Sequence, residues 1–84
     1  MVTIEKLIKT KKSGLAKVIE DFLKNRLKPF VEYNRIEIEV ENYQTSKTKG
    51  VYITLNFKEK IGYDFNKTYR NSIIKECRKY IRKL

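Results

Sequence analysis

Near the end of the chain, cations recur at helical spacing in a pattern that suits contact with a row of phosphate groups. At 100° per residue these positions fall on one side of a helix, and Lys79 lies at its border. Like charges one turn apart repel each other, and phosphates would neutralise them. An ordinary solvated helix face is the alternative interpretation. The row consists of Lys67, Asn71, Lys75, Arg78 and Arg82.

Two further basic segments contain residue types that suit contact with anions. Lys47 and Lys49 stand in a polar stretch among hydroxyl side chains, and an exposed turn is the alternative there. Lys9, Lys11 and Lys12 precede a predicted helix, where free amides and the helix dipole attract anions. A single glycine follows them, which does not match the glycine spacing of a nucleotide-binding loop. This segment therefore predicts a contact with a phosphate polymer.

The residue types that most often carry catalysis are missing or poorly placed. The chain has no histidine, which removes the commonest general base at neutral pH and the commonest metal ligand. Cys77 falls on the apolar side of the last predicted helix, so we predict a buried, unreactive thiol. Glu37, Glu39 and Glu41 share one strand face without further acids at nuclease-like spacing. We expect a protein that is not an enzyme, with no metal site and no cofactor.

Length and charge set the class of protein. The chain has 84 residues, of which 20 are basic and 10 acidic, so its net charge is +10. This length predicts one domain spanning residues 1–84. The positive field favours anionic partners such as DNA or RNA. No apolar run approaches the ~18 residues of a membrane span. We expect an intracellular, cytoplasmic protein, and association with the nucleoid would agree with this location. We expect neither a membrane partner nor a small-molecule partner.

Two amphipathic helices are predicted from apolar residues that recur every three or four positions. The first runs from Leu15 to Phe30, with Ser13 as its N-cap and Pro29 as the residue near which it ends. The second begins at a cap on Asp64 and carries the basic row opposite its apolar stripe.

Two strands are predicted from period-two alternation, at residues 35–41 and 51–58. The polar stretch between them makes the pair a hairpin with a long basic tip. The first ten residues are ambiguous. Ile4, Leu7 and Ile8 have helical spacing, and we predict a helical turn there, while a short strand is the alternative.

Together these elements predict an α+β fold of order α-β-β-α. Two amphipathic helices pack on one face of a small antiparallel sheet, with a short extra N-terminal element. A two-stranded sheet leaves both edges unpaired. We expect a homodimer through the strand at residues 51–58, because the glutamate row discourages pairing between copies of the other strand. An N-terminal strand that covers this edge is the alternative.

The charge is divided along the chain. Residues 32–46 hold one basic and four acidic residues, whereas residues 64–84 hold seven basic and two acidic residues. The sequence therefore predicts a small nucleic-acid-binding protein that contacts mainly phosphates, with little sequence specificity because it carries no base-reading motif. DNA is slightly favoured over RNA. The alternative is a protein-protein interaction module, an inhibitor or assembly factor, that engages an acidic surface.

Overall fold

Three strands and three helices make up the described chain. The structure, a computed structural model, describes residues 2–58 and 70–84. The elements in chain order are β1 (Val2–Lys9), α1 (Ala16–Arg26), α2 (Lys28–Glu32), β2 (Ile36–Gln44), β3 (Lys49–Phe57) and α3 (Arg70–Arg82). The predicted α+β class with an antiparallel sheet is confirmed. The predicted order α-β-β-α is wrong, because a strand precedes α1 and a second short helix follows it.

The three strands form one antiparallel sheet in the order β1-β3-β2. β1 pairs with β3 along its whole length, from Val2 opposite Phe57 to Lys9 opposite Gly50. The predicted N-terminal helical turn is therefore wrong, and so is the predicted dimer edge on β3, because both edges of β3 are already paired. In so short a segment helical and strand spacing share the same apolar positions, and pairing with β3 decides between them.

Helices cover one face of this sheet. Alternate residues of each strand meet the apolar sides of α1 and α3 in a single core. Its members are Ile4, Ile8, Ile19, Leu23, Leu27, Ile36, Val51, Ile53, Leu55, Phe57, Ile73, Ile74 and Cys77. On the other face, Glu37, Glu39 and Glu41 stay exposed. None of the described helices has the length and apolar character to cross a membrane.

The single helix predicted from residue 15 to residue 30 is divided in two. α1 ends before Leu27, whose backbone (φ −105°, ψ 25°) leaves the helical region. Pro29 then lies in the first turn of α2, where its missing N–H costs no hydrogen bond. In one continuous helix Pro29 could not donate to the carbonyl oxygen of Asn25 and its ring would crowd that carbonyl, which explains an interruption near this point.

The start of α1 is capped from the sheet. The predicted cap on Ser13 is wrong, because Leu15 is the N-cap residue and offers no side-chain hydrogen bond. Instead the Oδ1 atom of Asn42, on β2, accepts a hydrogen bond from the backbone N–H of Ala16 at 2.9 Å. This bond satisfies one of the amides that a helix start leaves free, and it ties the β1–α1 loop to the sheet.

Two contacts between α1 and α3 fix how α3 is rotated about its axis. The rings of Phe22 and Tyr80 stack with centroids 4.4 Å apart and planes 10° apart. One turn further along α1, the Nε atom of Arg26 lies 2.8 Å from the Oε2 atom of Glu76. Because both contacts hold the same side of α3 against α1, the side that carries Lys75 and Arg78 lies next to β1.

We predict that Gly50→Ala destabilises the protein. A Cβ atom at this position would overlap the backbone carbonyl oxygen of Ile8 on β1, so the strands would have to separate locally. We expect a loss of about 1–3 kcal/mol in the free energy of unfolding, measured by urea denaturation. Amide exchange near the end of β1 should also become faster.

Gly14→Ala is the control for this prediction. Gly14 has φ 75°, and a Cβ there meets nothing within 4 Å, so the substitution carries backbone strain without a clash. It should leave amide exchange in β1 unchanged. Equal exchange rates in the Gly50→Ala variant and the wild type would contradict the close approach of β1 and β3 at this point.

Candidate functional site

A groove runs between β1 and α3 and continues along the β1–α1 loop. It consists of three depressions of about 450, 380 and 320 Å³, each open to solvent. The first and second share Arg78, and the second and third share Lys9, Ile81 and Arg82. Because neighbouring depressions have walls in common, they form one continuous surface, which we name the basic groove.

The two walls of the basic groove run in the same direction. Lys6 on β1 faces Lys75 at the first depression, and Lys9 faces Arg82 at the second. Beyond the end of β1, the loop supplies the last part of the wall opposite the end of α3. Between the walls the floor is aliphatic. It contains Ile8, Leu15, Ile74 and Ile81.

Seven cations line the basic groove, and within the residues that the structure describes none of them lies beside an Asp or Glu carboxylate. They come from three separate parts of the chain: Lys6, Lys9, Lys11, Lys12, Lys75, Arg78 and Arg82. Lys12 donates a hydrogen bond from Nζ to the backbone carbonyl oxygen of Leu84, which anchors the loop to the end of α3. The remaining positive charges repel each other and favour an anionic occupant.

The cations of α1 and α2 behave differently, because each has a carboxylate beside it. Lys17 lies 3.4 Å from Asp21, and this carboxylate together with that of Glu20 raises the pKa of the Lys17 ammonium. Glu20 also lies 3.7 Å from Lys24. On α2, Lys28 and Glu32 are 3.8 Å apart. The positive charges of α1 and α2 are therefore locally balanced by carboxylates, in contrast to those of the basic groove.

The structure brings together most of the residues that the sequence singled out. Asn71, Lys75, Arg78 and Arg82 share the α3 wall, and Lys11 and Lys12 lie in the loop wall. Lys67 lies outside the described residues.

Three predicted residues are placed elsewhere. Lys79 is exposed on α3 but does not line the basic groove. Lys47 and Lys49 are exposed at the β2–β3 turn, outside the groove. The base of this turn is nevertheless joined to the loop wall, because the carbonyl oxygen of Lys49 accepts a hydrogen bond from the N–H of Thr10 at 2.9 Å.

Sequence reasoning missed Lys6. The helical interpretation of the first ten residues gave this lysine no place in a basic surface. In the structure the side chain of Lys6 lies on the same side of β1 as Ile4 and Ile8. Because β1 is an edge strand, the ammonium group of Lys6 reaches the groove wall. Period-two alternation from residue 2 to residue 8 was the signal that would have found it.

The face of the sheet that the described helices leave open is acidic. Glu5 on β1 joins the three glutamates of β2, and across these strands Lys58 approaches Glu37 at 3.7 Å. Tyr52 lies between the outer strands, where burial raises the pKa of its hydroxyl and the carboxylate of Glu5 raises it further. This face repels a phosphate backbone, so the two signs of charge occupy different surfaces of the protein.

Cys77 is fully buried in the core, as the sequence predicted. Burial raises the pKa of its thiol to about 12, and the neighbouring Glu76 adds to this shift. Among the described residues no group of three His, Cys, Asp or Glu side chains could hold a metal ion.

We predict that Cys77 in the native protein does not react with a thiol reagent such as dithionitrobenzoate at pH 8. The reactive species is the thiolate, which a raised pKa and full burial both suppress. Release of thionitrobenzoate should begin only when guanidinium chloride unfolds the protein. Stoichiometric labelling of the folded protein within the mixing time would contradict the assignment.

The fold and the groove define a small α+β protein with a three-stranded antiparallel sheet and a cationic groove at one sheet edge. The chain matches no known protein-family model, no curated protein and no solved structure.

Proposed function

We propose that this protein binds nucleic acid through the basic groove, mainly by contacts with phosphates. One observation carries the proposal. Seven cations from three parts of the chain line one groove without Asp or Glu partners among the described residues, while the cations of α1 and α2 are paired. A row of unpaired cations beside a concave surface is the arrangement that a polyanion neutralises best.

The proposal assigns the residues specific roles. Lys75, Arg78 and Arg82 contact successive phosphates from α3, and Lys6 and Lys9 contact them from β1. Lys11 and Lys12 extend this contact at the end of the groove. Asn71 donates a neutral hydrogen bond to the backbone. Because the sequence carries no base-reading motif, binding has little sequence preference, with DNA slightly favoured.

An interaction with an acidic protein surface is the second candidate. The aliphatic floor of the basic groove supports it, because an acidic peptide could place apolar side chains between the cationic walls. Competition separates the two candidates. Poly-glutamate that displaces duplex DNA at equal or lower charge concentration would favour the protein partner and contradict the nucleic-acid proposal.

We predict that Lys75→Gln/Arg78→Gln/Arg82→Gln abolishes most of the binding to random-sequence duplex DNA. Five phosphate contacts in the wild type give a slope of log K against log salt of about −4.5. Loss of three contacts should make this slope shallower by about 3 and weaken binding by roughly 500-fold at 0.1 M salt. Fluorescence anisotropy over a salt series measures both quantities.

The matched control is Lys17→Gln/Lys24→Gln/Lys28→Gln. It removes the same net charge, but from α1 and α2, where each lysine has a carboxylate partner. Its salt slope should equal that of the wild type, and its fold can be checked by circular dichroism. Equal losses in the two variants would show that net charge alone governs binding, which contradicts a role for the groove.

A further inference from the structure

The β1–α1 loop closes one end of the basic groove. β1 lies at one edge of the sheet, whereas α1 packs mainly on β2 at the other edge, so the loop has to cross the fold. It passes the C-terminal end of α3, where the Nζ atom of Lys12 donates a hydrogen bond to the carbonyl oxygen of Leu84. Because the groove runs between β1 and α3, a loop that leaves β1 and contacts the end of α3 stands across its path. We name this part of the groove, the depression of about 320 Å³, the closed end.

The loop is fixed to the rest of the fold on both sides of Lys12. Before it, the N–H of Thr10 donates to the carbonyl oxygen of Lys49 at 2.9 Å, and the Thr10 hydroxyl donates to the carbonyl oxygen of Lys12 at 2.5 Å. After it, the N–H of Ala16 donates to the side chain of Asn42 on β2 at 2.9 Å. The closed end is therefore preformed, and a ligand gains affinity because it does not have to order this loop.

Positive charge is most concentrated at the closed end. It is the smallest of the three depressions and has four cations around it, whereas each of the other two has three. Among the described residues that line it, none is an Asp or a Glu. The closed end therefore offers more positive charge than one phosphodiester, with its single negative charge, would neutralise. The four cations are Lys9, Lys11, Lys12 and Arg82.

A terminal phosphate fits this arrangement better than a phosphate inside a strand. An interior phosphodiester has one negative charge and continues into the chain on both sides, so it needs two exits. A phosphate at a strand end carries nearly two negative charges above its second pKa of about 6, and it continues into the chain on one side only. At the closed end the groove itself provides one exit. Charge and shape thus favour the same kind of phosphate.

The floor of the closed end suits the sugar that carries such a phosphate. It is formed by Leu15, Ile81 and Leu84, and the side chain of Leu84 is among the exposed large apolar side chains of the protein. Apolar side chains gain free energy when a ligand removes their surface from water. The carbon–hydrogen face of a terminal sugar can make this contact while its phosphate meets the surrounding cations.

We infer that the closed end of the basic groove binds the dianionic terminal phosphate of a nucleic-acid strand, while the rest of the strand continues along the groove. This inference rests on the nucleic-acid-binding function proposed above. It makes a phosphorylated strand end the preferred binding position, ahead of interior positions on the same nucleic acid.

The test uses DNA hairpins of roughly ten base pairs, about one helical turn, which have a single duplex end. One hairpin carries a 5′-phosphate, one a 3′-phosphate and one only hydroxyl groups at this end, and a dumbbell closed by loops at both ends has no strand end. Fluorescence anisotropy at 0.1 M salt and about pH 7.5, where the terminal phosphate is dianionic, gives the four affinities.

At least one phosphorylated hairpin should bind about eightfold more tightly than the hydroxyl-ended hairpin, or better, because each further neutralised charge contributes roughly this factor at 0.1 M salt. The dumbbell should bind no more tightly than the hydroxyl-ended hairpin. Equal affinities for all four molecules would overturn the inference and leave the proposed function intact. If none of them binds at low salt, the proposed function itself fails, and this outcome is distinct from the first.

A change of pH tests whether the second charge is recognised. The terminal phosphate loses this charge below its second pKa of about 6, whereas interior phosphates keep theirs. The charged groups that face the closed end are lysines of β1 and the loop and an arginine of α3, which stay protonated, and the chain has no histidine. The advantage of the phosphorylated hairpin should therefore fall about threefold or more at pH 5. An equal advantage at both pH values would overturn the assignment to a dianion.

Two matched variants locate the terminal phosphate. Lys9→Gln/Lys11→Gln removes two charges from the closed end and keeps Lys12, whose hydrogen bond holds the loop. It should reduce the advantage of the phosphorylated hairpin to about twofold or less. Lys6→Gln/Lys75→Gln removes the same charge from the depression farthest from the loop. It should weaken binding of every hairpin and leave the advantage at its wild-type value.

The ratio of the two affinities is the deciding quantity, because a general loss of charge lowers both affinities together. Urea denaturation checks that both variants remain folded. A wild-type advantage in Lys9→Gln/Lys11→Gln, or an equal reduction in the two variants, would place the terminal phosphate away from the closed end and overturn the inference.

Discussion

The pairing of β1 with β3 is the interaction on which the rest of this structure depends. It completes the sheet, so that β3 becomes a central strand with both edges hydrogen-bonded. It also brings Ile4 and Ile8 under the helices, where they join the core. Because β1 then lies beside α3, its lysines and the cations of α3 become the two walls of one groove. Without this pairing a two-stranded hairpin would be marginal in water, and the cations near the N-terminus would have no defined relation to those of α3.

A second constraint acts through the rotation of α3. The Phe22–Tyr80 stack and the Arg26–Glu76 ion pair hold one side of the helix against α1. The apolar side faces the sheet, which leaves the basic side towards β1. Glu76, the single acidic residue of α3, is thereby placed away from the groove. Helix packing thus removes a carboxylate from the cationic surface, and the electrostatic asymmetry follows from packing contacts as well as from composition.

Much of the fold and part of the site follow from local patterns in the sequence. The apolar stripe around Cys77 predicts its burial, and the alternation through Ile53 predicts β3, because these patterns reflect the geometry of one element. The cap from Asn42 does not follow from such local patterns, because it depends on a partner elsewhere in the chain. The first ten residues show the limit most clearly. Their apolar spacing fits two kinds of element, and a long-range hydrogen-bonded partner selects the strand.

For the candidate site, the sequence by itself determined the cationic composition, the lack of histidine and the basic row on α3, because these need nothing beyond residue types and helical period. Tertiary structure alone decided that Lys6 and Lys9 stand opposite this row and that Lys47 and Lys79 stand outside the groove. It also decided which cations have carboxylate partners. The physical reason is that Coulomb interactions depend on distances in space. Local periodicity specifies the side of an element on which a charge lies, whereas strand pairing and helix packing specify which other charges it meets.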